Sequence, residues 1–128
     1  MPRSTPEYHL HVEVVAYLRL VLPAGSLLHH SPNEGKHRVQ YRKKLARLGM
    51  CAGWPDLQLV VPLAYYLAGQ READIFIELK APNGRVSPAQ RKVMDLLKAA
   101  RRHVEVCRSV DDVQAFVGSI VRLKDVSV

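Results

Sequence analysis

Apolar residues recur along this chain with two different periods. Leu10, Val14, Ala16, Tyr17, Leu18 and Val21 fall at helical spacing, and Thr5-Pro6 ahead of them supplies an N-cap and a first helical position. The pattern predicts a first helix that ends near Pro23 and Gly25. Residues 26–31, SLLHHS, read as a short strand closed by the PNEG turn at 32–35. Residues 36–48 read as helix in part, with Gly49 as the stop. LQLVVPL is a strand that starts at Asp56 or Leu57, and residues 65–74, with Gly69 inside, read as a strand end and hairpin connection. Residues 74–80 form the next strand. Ser87-Pro88 opens a helix with Val93, Leu96, Leu97 and Ala100 on one face. Residues 104–107 make a short β-branched strand, and 109–123 a closing helix with Ser109 as N-cap and Asp111 and Asp112 in its first turn.

The resulting order, αβαββαβα, predicts an α/β fold: one domain over residues 1–128 with a mixed central β-sheet flanked by helices. The hairpin implies an antiparallel pair, and the helical crossover before the last strand favours a parallel one.

Composition adds a partner class. The 128 residues are 48% hydrophobic, enough for a genuine core, and 19 Lys and Arg against 12 Asp and Glu leave a formal charge of +7. That balance suits a polyanion, or belongs simply to a small basic soluble protein. Lys36, Arg38, Arg42, Lys43, Lys44 and Arg47 stand in one segment without an acid. Six cations so placed repel one another unless a polyanion is near, so this segment is the candidate for phosphate contacts. Arg85, Arg91 and Lys92 extend it, Asn33 in the PNEG turn either approaches the site or the polyanion or only makes the turn, and Tyr41 reads as core packing in preference to a stacking surface for a base.

Cys51 and Cys107 lie far apart, and neither they nor the histidines have zinc-ligand spacing, so two free thiols in a reducing cytosol are expected. The amino terminus has no apolar signal core, and the longest apolar run, 59–68, contains Pro62 and is too short to span a bilayer. A soluble cytoplasmic protein without a membrane or small-molecule cofactor is the expectation.

The chemistry lies in IFIELK. On a strand, Glu78 and Lys80 share one face while Ile77 and Leu79 point to the other. Alone, the pair reads equally as an edge-strand salt bridge. Asp56 heads the preceding strand, and hairpin pairing brings it close to Glu78. Two carboxylates forced together repel unless a cation lies between them. Oxygen donors from Asp, Glu and a backbone carbonyl suit Mg²⁺, with Mn²⁺ as a substitute. Such a site fits phosphodiester hydrolysis, with Lys80 orienting water or offsetting developing negative charge. His29 and His30 straddle a strand, so at most one faces the cleft, and each reads as a structural histidine.

Pro55-Asp56 followed by Glu78-Leu79-Lys80 resembles the PD-(D/E)xK nuclease superfamily. The wider set PNEGK, GWPDL, IELKAPNGRVSPAQ and VCRSVDD resembles a stand-alone VRR-NUC (virus-type replication-repair nuclease) domain of phages and prophages, over nearly the whole chain. The resemblance implies a restriction-endonuclease-like core and a metal-dependent DNA endonuclease. Asp56 and Glu78 would be metal ligands, the Leu79 carbonyl a third, Lys80 the catalytic lysine, and Gln90 would face the site. A Glu from the first helix completes the family's set. Glu7 matches better than Glu13, since Glu7, Leu10 and His11 follow the family's spacing, although the family often has Gln where this chain has His11. Without the resemblance, Gln90 and Glu7 are ordinary first-turn polar residues. It also implies a homodimer acting on branched or double-stranded DNA, in the manner of a Holliday-junction resolvase. Tyr65, Tyr66, Phe116, Ile120 and Val121 are the candidate interface. The rivals are a non-catalytic DNA-binding module, a flap or single-strand nuclease, and a restriction-type enzyme, for which no sequence-reading element is visible.

Overall fold

The computed structural model describes residues 5–31 and 39–126. Thr5 caps the first helix, α1 (Pro6–Val21), by accepting from the Tyr8 N–H. β1 (Leu27–His30) and α2 (Val39–Arg47) follow, then β2 (Leu57–Val60), β3 (Ile75–Leu79), α3 (Pro88–Ala99), β4 (His103–Cys107) and α4 (Val110–Gly118). The order is the one the sequence predicts. The strands lie β1-β2-β3-β4, antiparallel for the first two pairs and parallel for β3 and β4.

The sheet packs on both faces, and strand alternation divides its residues between them. Leu57, Leu59, Ile75, Ile77 and Leu79 point into the larger core, where α1 contributes Val14, Leu18 and Val21 and α4 contributes Val113 and Val117. Phe76 points the other way, into a smaller cluster with Met94 and Val104, edged by Trp54 and Leu97. β3 is therefore buried along its whole length, Glu78 included.

Three expectations change. β2 ends at Val60 instead of running through LQLVVPL to Leu63, and a 3₁₀ turn at Leu63–Tyr65 begins the connection to β3, which joins the antiparallel pair that the hairpin reading expects. The closing helix stops at Gly118, because the chain after it is used elsewhere. Leu67 donates to the Ile120 carbonyl, Arg122 donates to the Tyr65 carbonyl, and Tyr66 bridges Val121. The candidate dimer residues are also core: Ile120 and Val121 are buried, and Tyr65, Tyr66 and Phe116 pack against them. Cys51 and Cys107 are free thiols, and burial raises the Cys107 thiol to about 12, helped by Asp112 and Glu105. No helix among the described residues is long and apolar enough to cross a membrane.

Candidate active site

Leu57 lies opposite Ile77 in the β2–β3 ladder. One step further, the same register sets Asp56 against Glu78, and alternation turns Asp56, Glu78 and Lys80 to the α3 face. All three are nearly withdrawn from solvent, with exposures of 5%, 1% and 9%. The Leu79 N–H donates to Asp56 Oδ2 at 2.7 Å, which fastens the head of β2 to the end of β3. Lys80 Nζ lies 3.6 Å from Glu78 Oε2. In their ionised forms the three groups carry one net negative charge, in a place where uncompensated charge is costly.

That excess is what a cation would offset. Among the described residues no three His, Cys, Asp or Glu side chains form a ready metal cage. Two carboxylates and the Leu79 carbonyl nevertheless fit a hard cation that keeps most of its own water, which is the habit of Mg²⁺.

The flanking elements converge on this end of the sheet. His30 Nδ1, in its protonated form, donates to the Asp56 carbonyl at 2.8 Å, and the Ser31 N–H approaches the same oxygen at 3.3 Å. The His11 ring meets His30 edge-on at 4.5 Å. Burial pushes the His11 pKa down, and His30 pushes it further, against an upward pull from Asp56. Glu7 lies one turn before His11 on the inward face of α1 and is half-buried, whereas Glu13 is exposed. The sequence marked His30 as a structural histidine, and its bond to Asp56 is of that kind; the His11–His30 contact crosses between distant segments and had no local signal.

Gln90 closes a capping box at the start of α3. Its Oε1 accepts from the Ser87 N–H at 2.9 Å, and its own N–H donates to Ser87 Oγ at 3.1 Å. Only the Nε2 amide is left to face a substrate. The Gly53 backbone, at φ +86, lies directly on this turn: a Cβ there would meet the Ala89 carbonyl oxygen at 2.5 Å. The loop that delivers Asp56 is so pressed against the first turn of α3.

Arg108 is the residue whose role sequence reasoning missed, although VCRSVDD contains it. Its Nη1 donates to the carbonyls of Ala81 and Gly84, each at 2.8 Å, and Pro82 at 3.3 Å. The Lys80 N–H donates to the Cys107 carbonyl, continuing the β3–β4 pairing. Arg108 therefore holds the turn that follows Lys80, and Gly84 in that turn lies close to the Lys80 Cβ. A positively charged side chain just past a buried strand, opposite a turn rich in open carbonyls, is the signal that could have found it.

Arg42, Lys43, Lys44 and Arg47 are exposed on α2, which has no buried residue, and Arg85 is exposed beyond β3. Tyr41 is exposed on the same helix, contrary to the expectation of core packing, because α2 has no buried face to receive it. Asn33, Lys36 and Arg38 lie outside the described residues.

The family model described as the VRR-NUC domain matches residues 11–111. A solved structure named as a VRR_NUC domain protein is similar at 22% identity with a TM-score of 0.65, covering 91% of this chain and 88% of that one. Another, named as a VRR_NUC domain, is similar at 19% identity with a TM-score of 0.56, covering 89% of this chain and 96% of that one. No curated protein matched.

Proposed function

The chain belongs to the VRR-NUC family and has a nuclease-type fold, and from that premise we propose that it is a Mg²⁺- or Mn²⁺-dependent, structure-selective DNA endonuclease. The observation that carries this reading is the buried Asp56–Glu78–Lys80 cluster at one end of the sheet, fastened by the Leu79 N–H. Asp56, Glu78 and the Leu79 carbonyl would hold the cation, with Glu7 from α1 as a further carboxylate. When bound, the cation supplies a water of lowered pKa and charge compensation for the phosphate.

The chain's own groups do the rest. Lys80 brings a fixed positive charge beside the reacting phosphate, where negative charge develops in the transition state. Glu78, 3.6 Å away, keeps the ammonium in that position. The Gln90 amide orients water or a phosphate oxygen. The cations of α2, with Arg85, contact backbone phosphates without reading bases. Branched DNA cut in the manner of a Holliday-junction resolvase is the substrate we favour, with a two-fold dimer presenting one site to each of two strands.

The test is cleavage of a labelled immobile four-way junction, a flap and a linear duplex, each with Mg²⁺, Mn²⁺ or EDTA. Paired symmetric cuts in the junction, lost in EDTA, support the full reading. Cuts confined to flap or duplex keep the nuclease and change its substrate. Asp56→Asn, Glu78→Gln and Lys80→Ala are each expected to lower cleavage by at least about 10²-fold, the scale of losing one preorganised electrostatic group, with DNA affinity retained. A substantially active Lys80→Ala protein would sink the mechanism.

A further inference from the structure

Beside the head of β2 the surface opens into a cavity of about 510 Å³. Leu45 of α2 and Leu48 just after it form one wall, Met50 and Trp54 another, and His29 and Gln58 the sheet side. Because α2 has no buried residue, this is space left between that helix and the sheet, not a defect within the core. Its size is that of a ligand pocket, on the order of 300–1,000 Å³.

The cavity adjoins the candidate active site. Trp54 stands two residues before Asp56, and Ser31, also on the cavity wall, directs its N–H to the Asp56 carbonyl. The walls away from α2 are set in place. Trp54 meets Phe76 edge-on at 5.5 Å and 86°, and Gln58 Nε2 donates to Asp74 Oδ2 at 2.9 Å. The helix on the open side carries Arg42, Lys43, Lys44 and Arg47, all exposed. The occupant these features describe is a planar group with apolar faces and polar edges, joined to a polyanion. A nucleobase has that chemistry. A base stacked within a duplex cannot enter and must be unpaired first.

We propose that this cavity receives one unpaired nucleobase from the strand whose phosphodiester lies at Asp56 and Glu78. The inference rests on the nuclease reading for the position of that phosphodiester, and it deepens it: the nucleotide beside the bond to be cut is unpaired, at the branch point of a junction or in a single-stranded arm. Aromatic and apolar walls accept any base, so selection is for unpaired structure and not for sequence.

Trp54 is the only tryptophan in the chain, so its fluorescence reports on this cavity directly. The experiment titrates the full chain in EDTA with a short oligothymidylate, an abasic sugar-phosphate strand of equal length and a blunt duplex, with binding read separately by anisotropy. Quenching by the oligothymidylate at saturation, with little from the abasic strand or the duplex, is expected. The double variant His29→Ala, Leu48→Ala changes two exposed side chains and should fold. It is expected to raise the Kd for oligothymidylate by about tenfold, the scale of one lost stacking contact, and to leave the Kd for the abasic strand unchanged. Equal quenching by the abasic strand overturns the proposal, as does an equal loss of affinity for both strands. The readout needs no cutting, so the two readings fail separately. Base-dependent quenching by a chain that cuts nothing retires the nuclease, and cutting without base-dependent quenching retires the cavity.

Discussion

Lys80 occupies a position where every neighbour constrains it. Its N–H is tied to Cys107, its ammonium faces Glu78, and the turn after it is held by Arg108. Arg108 touches none of the proposed reacting groups and acts through that turn, as a positioning residue. Arg108→Ala is expected to lower kcat by about tenfold or more, in line with the cost of small misplacements in a reacting geometry, with KM little changed. Lys at this position supplies charge on a flexible stem without the planar guanidinium that sets Nη1 among the three carbonyls, and should rescue only in part; steady-state kinetics of both variants check this. His11 gives a pH dependence. Its pKa in the folded chain lies below the ordinary 6.5, so just below that pH the unfolded chain binds more protons and stability falls on acidification. The Tm should drop between pH 7.5 and 5.5, and His11→Gln should flatten that drop; a slope unchanged by the substitution would remove His11 as its source. At this scale the sequence was legible where the signal was periodic. Strand alternation and one hairpin were enough to bring Asp56, Glu78 and Lys80 to one face. His11 against His30, and Arg108 against the 81–84 turn, are contacts between distant segments that no local pattern encodes.

Among the elements, those with explicit punctuation could be read correctly. Thr5-Pro6, Ser87-Pro88 with Gln90, and Ser109 start their helices where the capping chemistry says they should. The failures came where backbone groups were taken by partners far along the chain, as when residues 120–122 left the helical path to pair with 65–67. The contact of the Gly53 loop with α3 is the element-level joint of the site. Gly53→Ala places a methyl group 2.5 Å from the Ala89 carbonyl oxygen and forces a side chain onto a backbone at φ +86. Overpacking and left-handed strain together should cost about 3 kcal/mol. Thermal melts should show the loss, and cleavage by whatever remains folded should fall as well, because displacement of the loop carries Asp56 away from Glu78.

For the whole molecule, charge and architecture fall on different parts. The packed sheet with α1, α3 and α4 forms the rigid body, while α2 carries four exposed cations and buries nothing. A helix of that kind contributes little to stability and is suited to a surface interaction. Reversing Arg42, Lys43 and Lys44 to Glu should leave the Tm nearly unchanged, weaken binding to every DNA tested, and reduce the slope of log K against log salt by about 2–3 if each cation meets one phosphate of a duplex. Unchanged affinity at low salt would remove α2 from the interface. The basic segment was visible in composition alone; its loose seating was not, because burial depends on what the rest of the chain places beneath it. The parallel pairing of β3 with β4 has one more consequence, in the order of synthesis. Glu78 and Lys80 leave the ribosome well before residues 103–107, the strand on which they depend for a fixed position, and before Arg108. A nascent or prematurely terminated chain that already contains every proposed catalytic residue still lacks their support. Any cutting activity would therefore switch on only after residues 103–108 have emerged and paired, and fragments released before that point would spare the DNA of the cell that makes them.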